Sequence, residues 1–252
     1  MTLLRIGHKG ADALVPGNTL GSFAAAVEHR VDAIELDVLR PRADFADGAD
    51  WRSAPAGPAT GAGELLIAHD WADARRREPL TLAEGLDAFR RPPLDSVRID
   101  LDLKIAGRED EVVSALRERD LVDRAMVSTM ELASLEYLVA HAPELDRGWT
   151  LPKVRRDWNR VRFGRPIVIA GSASLRARLP RIVRRRAPEL GVWAIWAYHP
   201  LITKRLIDAA HSVDVQVIAW TVDDAPRIAA LDALGADGIC TNDPRLFEEG
   251  SA

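Results

Sequence analysis

The stretch Ala33-Ile34-Glu35-Leu36-Asp37-Val38 alternates apolar and acidic residues with a period of two, the spacing of a β-strand. Residues two apart in a strand share a face, so Glu35 and Asp37 point the same way. Strands of a parallel sheet are covered on both sides, and inward carboxylates there need a partner, either a cation or the wet mouth of a barrel. Outward from this run, strand-like segments recur at Leu3–Gly7, Val97–Lys104, Ala125–Thr129, Arg147–Leu151, Val192–Tyr198, Val215–Val222 and Asp237–Thr241. Between them lie segments with apolar residues at helical spacing: Thr19–His29, Thr81–Arg91, Glu109–Arg119, Glu131–His141, Leu201–His211 and Ala225–Leu234. Strand and helix alternate over the whole length, which predicts parallel βα units, and eight strands is the number that closes a (β/α)8 TIM barrel.

Thr81-Leu82-Ala83-Glu84 reads as a capping box and marks a helix start. Two further runs, Leu65–His69 and Pro166–Gly171, look strand-like and exceed the barrel count. The first is placed in an excursion after the second strand; the second is left open. Pro41–Gly63 is rich in Pro, Gly, Ala and Asp without periodicity and reads as a long loop inserted after the second strand.

With 252 residues and 47% apolar content, the chain is long enough for one barrel domain spanning 1–252. Its 34 basic and 38 acidic residues give a net charge of −4, so no global field recruits nucleic acid or an anionic membrane. An anionic substrate must be attracted locally. Cys240 is the sole cysteine, which excludes an intrachain disulfide and a thiolate metal cluster and is compatible with a reducing cytosol. Met1 runs directly into the first strand without a signal-type segment, and no apolar run approaches the roughly 18 residues that span a bilayer. A soluble cytoplasmic protein is expected.

Chemistry-bearing residues gather at strand ends. His8 and His69 each follow a predicted strand, and Asp102 and Lys104 share a strand face as Glu35 and Asp37 do. Three carboxylates with a lysine beside them suit one hard cation, and oxygen-only ligands favour Mg2+ or Ca2+ over zinc. The histidines are then free for proton transfer near neutral pH.

Several fragments resemble the glycerophosphodiester phosphodiesterase family, a set of (β/α)8 barrel enzymes. They are His8-Lys9-Gly10 with Pro16-Gly17-Asn18-Thr19-Leu20, the Ala33–Val38 run, His69-Asp70, Asp102-Leu103-Lys104, Trp220-Thr221-Val222-Asp223 and the Gly235–Pro244 segment. They occur in family order over almost the whole chain. The resemblance implies that Glu35, Asp37 and Asp102 hold a divalent cation and that His8 and His69 are the acid/base pair. It further implies that Lys9 and Lys104 contact phosphate, that Trp220 walls the alcohol side, and that the substrate is a small glycerophosphodiester. Four departures stand out: Lys9 where the family has Arg, Gly17 where it has Glu, Asp102 where it has Glu, and the long loop 41–63. Asp102 reaches about 1.5 Å less far than Glu, and Asp100 on the same face is the alternative third ligand.

Asp in that position is also similar to lysophospholipase D-like and sphingomyelinase D-like barrels, the alternative enzyme reading. A barrel that binds phosphodiesters without turnover is the alternative outside enzymes. Residues 153–186 carry twelve Lys or Arg against one acid, Asp157. A solvated helix face is the preferred reading of that segment; the other is a basic rim in weak contact with anionic head groups or a membrane surface. Oligomeric state is not legible.

Overall fold

The expected strands all form, and register rather than composition closes them. In a computed structural model, which describes residues 2–46, 50, 54–57, 63–153 and 164–249, the strands are β1 (Leu4–His8), β2 (Ala33–Leu39), β3 (Leu66–Ile67), β4 (Arg98–Leu103), β5 (Ala125–Thr129), β6 (Asp146–Leu151), β7 (Ala194–Tyr198), β8 (Gln216–Trp220) and β9 (Gly238–Thr241). All except β3 are parallel. Because β1 pairs with both β9 and β2, these eight close into a (β/α)8 barrel. The ninth, β3, runs antiparallel to the end of β2, matching Leu66 to Leu39 and Ile67 to Val38. The Leu65–His69 run is therefore an appendage to the barrel wall.

The connecting helices are α1 (Leu20–Glu28), α2 (Trp71–Arg76), α3 (Leu82–Ala88), α4 (Glu109–Arg117), α5 (Leu132–His141), α6 (Gly164–Glu189), α7 (Lys204–His211), α8 (Ala225–Leu234) and α9 (Leu246–Glu249). Their starts are chemically marked. Thr19, Asp70, Thr203 and Asp224 each accept a hydrogen bond from a first-turn backbone N–H, and Thr81 with Glu84 forms the expected reciprocal box. Pro166–Gly171 lies inside α6, which resolves that open segment as helix. What holds α6 down is Leu179, Val183 and Ala187, with Leu190 just past its end, all buried at helical spacing. Two internal prolines, Pro180 and Pro188, and a mostly polar remainder hide that stripe in the sequence.

Helix-facing strand residues and inward helix residues form the outer core, while a smaller inner core with Ile6, Met126, Ala194, Ile218 and Cys240 plugs the barrel. Above that plug the register sets His8 beside Glu35, Glu35 beside Asp100, Asp37 beside Asp102, and Asp102 beside Ser128. This polar layer lies at the C-terminal ends of the strands, the face where barrel enzymes build their sites.

The described parts of the inserted loop are tied to the β4–α4 turn. Asp44 sits in a buried ion trio with Arg40 (3.0 Å) and Arg108 (3.3 Å). The Arg40 guanidinium also donates to the Ala106 carbonyl (2.5 Å), and it passes so close to Gly107 that a Cβ there would lie 2.2 Å from it. Glu109, fully buried, accepts from the Gly57 N–H (2.7 Å), the Gly107 N–H (2.7 Å) and Ser134 Oγ (2.6 Å).

Candidate active site

Each histidine has one ring nitrogen committed to a neighbour. His8 Nδ1 lies 2.6 Å from Asn242 Oδ1. The orientation of that amide is fixed, since Asn242 gives both its backbone N–H (2.8 Å) and its Nδ2 (2.7 Å) to Asp223. Asn242 therefore presents an acceptor, so Nδ1 of His8 carries the proton and Nε2 is left with its lone pair. Burial and the Lys9 ammonium lower the His8 pKa below its ordinary value, which keeps the ring neutral. His69 is different: its ring is half exposed, and Nδ1 lies 3.4 Å from Asp37 Oδ2. It reaches the barrel mouth two residues beyond β3, on the excursion after the second strand where the sequence pattern places it. The antiparallel pairing of β3 with β2 carries it back over Asp37.

The carboxylates meet as the strand pattern requires. Glu35, Asp37 and Asp102 place one oxygen each within 4.8 Å of one another. Glu35 Oε2 accepts the Lys9 backbone N–H (2.9 Å) and lies 3.9 Å from His8 Nε2. Asp37, wholly buried, exchanges hydrogen bonds with Asn18 in both directions: Asn18 Nδ2 donates to Oδ2 (2.7 Å), and the Asp37 N–H donates to Asn18 Oδ1 (3.1 Å). Lys104 forms ion pairs with Asp37 and Asp102.

Electrostatics separates these acids. Burial, and then Asp37, push Glu35 up to about 8. Burial acts on Asp37 in the same sense, but the Lys104 ammonium and the His69 hydrogen bond outweigh it and hold Asp37 well below the carboxylate range. Lys104 is likewise desolvated, and the surrounding carboxylates nevertheless keep it charged, raised well above its ordinary value. Asp100 stands apart from the trio. It accepts from Ser128 Oγ (2.8 Å), and burial with the nearby Glu35 raises its pKa well above normal.

The donor set fits a hard divalent cation. Two oxygens bound to one Ca2+ at about 2.4 Å can be at most roughly 4.8 Å apart, and the oxygens of the trio all lie within that distance of one another. A carboxyl as strongly raised as Glu35 is one whose charge the protein has not fully compensated, and a cation supplies that compensation. Glu35, Asp37 and Asp102 are the residues that would hold it.

A cavity of about 100 Å3 opens onto this layer, walled on its apolar side by Trp196, Trp220 and Met130. Trp220 is oriented by an indole hydrogen bond to the Trp196 carbonyl (2.9 Å). Lys9 is turned aside, its ammonium 3.5 Å from Asp12. Asp12 also accepts the Gly17 N–H (2.7 Å) and lies where a side chain on Gly17 would go, 2.6 Å from a Cβ built there. A carboxylate thus stands beside the position where the Glu of the related family is missing. Trp196, Asn18, Asn242 and Asp223 are site residues that pattern reading did not single out. The last three lie within quoted motifs, but their partners are far along the chain, and Trp196 reads as ordinary core.

Fold and mouth together define the class: a (β/α)8 barrel enzyme with carboxylates, imidazoles and a lysine collected at the strand ends. A sequence model of the glycerophosphoryl diester phosphodiesterase family matches residues 8–42 and 87–246. The chain belongs to that family and is by that membership a phosphodiester hydrolase. Among its relatives, glycerophosphodiester phosphodiesterase GDPD4 of Arabidopsis thaliana is 26% identical over 264 residues, covering 96% of this chain and 71% of its own. A glycerophosphodiester phosphodiesterase of Caldanaerobacter subterraneus is 23% identical, covering 98% and 97%. In three dimensions the chain is similar to the glycerophosphodiester phosphodiesterase of Agrobacterium tumefaciens (TM-score 0.67, 18% identity, covering 99% of each chain). It is also similar to an Oleispira antarctica phosphodiesterase solved with its product sn-glycerol-3-phosphate (TM-score 0.66, 16% identity, covering 98% and 95%). His69 lies in the stretch between the two family-matched segments.

Proposed function

We propose that this protein hydrolyses small glycerophosphodiesters to glycerol 3-phosphate and an alcohol, using His8 as general base and His69 as general acid beside a divalent cation. The observation that carries the reading is the division of the two imidazoles. His8 is held neutral with a free Nε2 beside Glu35, whereas His69 keeps a carboxylate against its Nδ1. The first is built to accept a proton, the second to hold one for donation.

In the reaction, His8 Nε2 takes a proton from an attacking water as its oxygen bonds to phosphorus. The phosphorus–oxygen bond to the alcohol breaks, and the His69 proton goes to that oxygen, so the alcohol leaves neutral. Each ring then exchanges its proton with solvent. Lys104, kept charged by the surrounding carboxylates, faces the cavity where phosphoryl charge builds up. A cation on Glu35, Asp37 and Asp102 would add Lewis-acid withdrawal of charge from a phosphoryl oxygen, Mg2+ and Ca2+ being the ions such oxygen donors favour. Trp220 and Trp196 supply the apolar wall for the alcohol, and Lys9, whose ammonium lies beside Asp12 here, would be the second positive charge drawn to the phosphate.

Glycerol 3-phosphate release from glycerophosphocholine, assayed with and without chelator, tests the reading against choline release from lysophosphatidylcholine. We expect the first activity, its loss in chelator, and a drop of at least ~100-fold in both His8→Ala and His69→Ala. Choline release as the main activity would select the lysophospholipase D-like alternative, and no turnover of either diester would select the binding-only barrel. A weaker second element concerns α6: exposed Arg181, Arg184 and Arg205 line a groove of about 420 Å3 between α6 and α7, which supports attraction of anionic head groups to this flank.

A further inference from the structure

His69 has little to hold it. Its ring is half exposed, its strand β3 is two residues long, and it stands outside the eight-stranded barrel. A proton donor in such a place is useful only if its backbone is fixed, because reacting groups lose rate steeply when misplaced by an ångström. The structure contains a device that fixes it. The His69 N–H donates to Asp73 Oδ2 (3.2 Å) in the first turn of α2. Arg77, immediately after α2, forks onto the same carboxylate, Nη2 to Oδ2 (2.8 Å) and Nε to Oδ1 (3.2 Å). Its remaining nitrogen, Nη1, donates to the backbone carbonyl of Asn18 (3.1 Å). Asn18, buried and itself in the left-handed region at φ 59°, is the residue that exchanges two hydrogen bonds with Asp37. Asp37 in turn faces His69 Nδ1.

The contacts close a ring: His69, Asp73, Arg77, Asn18, Asp37 and back to His69. Arg77 is the member that joins the appended segment to the barrel, because its planar fork serves three acceptors on two separate elements at once. Trp71 also anchors α2, through its indole to the Arg40 carbonyl (2.8 Å), but it leaves the His69 peptide to Asp73.

We propose that Arg77 is a positioning residue for proton donation by His69, setting the imidazole over Asp37 without touching substrate. The inference rests on the reading of His69 as general acid. A mere structural prop would slow all substrates alike, whereas a residue acting through the acid matters only when the leaving group needs a proton.

The test is kinetic, on the full chain with its divalent cation, comparing glycerophosphocholine with the p-nitrophenyl diester of glycerol phosphate, whose leaving group needs little acid help. For Arg77→Met we expect kcat on glycerophosphocholine to fall about 10- to 100-fold, with KM little changed and p-nitrophenyl turnover within about twofold of the parent. Arg77→Lys, which keeps the charge but lacks the fork, should recover only part of the loss. Asp73→Asn, which breaks the ring at its other end, should give the same substrate pattern. In the double variant Arg77→Met with His69→Ala, the loss should not exceed that of His69→Ala alone. Equal losses on both substrates, full activity in Arg77→Met, or additive losses in the double variant would each overturn the proposal. A His69→Ala protein with unchanged glycerophosphocholine turnover would instead remove the parent reading, and the positioning role with it. If Arg77→Met fails to fold, the Arg77→Lys and Asp73→Asn patterns decide alone.

Discussion

At the residue scale, one carboxyl reports on the whole site. Glu35 is raised from 4.5 to about 8 by burial and by Asp37, so without a bound cation its carboxyl holds a proton at neutral pH. The folded chain then binds more protons than the unfolded chain between those two values, and this group's contribution to stability declines as pH rises through that window. A cation that coordinates Glu35 must displace the proton. Calorimetric titration with Ca2+ at pH 6.5, in buffers of different ionisation enthalpy, should therefore show about one proton released per ion, falling towards none above pH 8. Affinity should rise over the same range. Glu35→Gln should lose both the proton release and most of the affinity, as should Asp102→Ala for affinity, whereas Asp100→Ala should keep it, since burial disfavours the charged form of Asp100 and Ser128 Oγ already donates to its carboxyl. Binding without proton release at pH 6.5 would show that Glu35 is not a ligand.

At the scale of elements, the described residues of the inserted segment after β2 are held by buried polar contacts. Glu109 accepts from two backbone N–H groups and one hydroxyl, one of them, Gly57, in the insertion itself. Replacement by Ala strands three buried donors, each at about 1–3 kcal/mol, so a loss on the order of 3 kcal/mol or more is expected. For a chain of this length that corresponds to a melting temperature lower by roughly 6–12 °C. Glu109→Gln, which keeps one acceptor oxygen, should lose less. A melting temperature unchanged in the Ala variant would show that the insertion is not fastened through this carboxylate. Element boundaries were largely legible, since strand and helix periods and caps such as Thr81 with Glu84 are local. The exception is α6, whose buried stripe of Leu179, Val183 and Ala187, continued by Leu190 just past its end, is diluted by arginines and interrupted by Pro180 and Pro188. Its apolar stretch Pro166–Gly171 is too short to separate strand from helix by periodicity.

For the whole molecule, the candidate cation site ties four places in the barrel together: β2, β4, the β3 appendage and the turn at Asn18. A ligand that binds only the folded chain stabilises it by mass action. Ca2+ or Mg2+ at about 100 times its dissociation constant adds about 2.7 kcal/mol, which should raise the melting temperature by roughly 5–10 °C. Chelator should reverse the shift, and Glu35→Gln should abolish it. A melting curve indifferent to both ions would contradict a native divalent site.

The sequence by itself determined the strand count, the barrel and the pairs that share a strand face, because those follow from backbone periods acting over a few residues. It also brought His8, Glu35, Asp37, Asp102 and Lys104 to strand ends, where barrel closure makes neighbours of them. Only the tertiary structure decided which groups partner which. Asn242 meets His8 across 234 positions of chain, and Asn18 meets Asp37 across 19, through the pairing of β1 with its two neighbours. Likewise His69 reaches Asp37 only because β3 turns back on β2, and Asp100 takes a hydrogen bond from Ser128 while the oxygens of Glu35, Asp37 and Asp102 converge. Such contacts depend on register and closure, which no local period encodes.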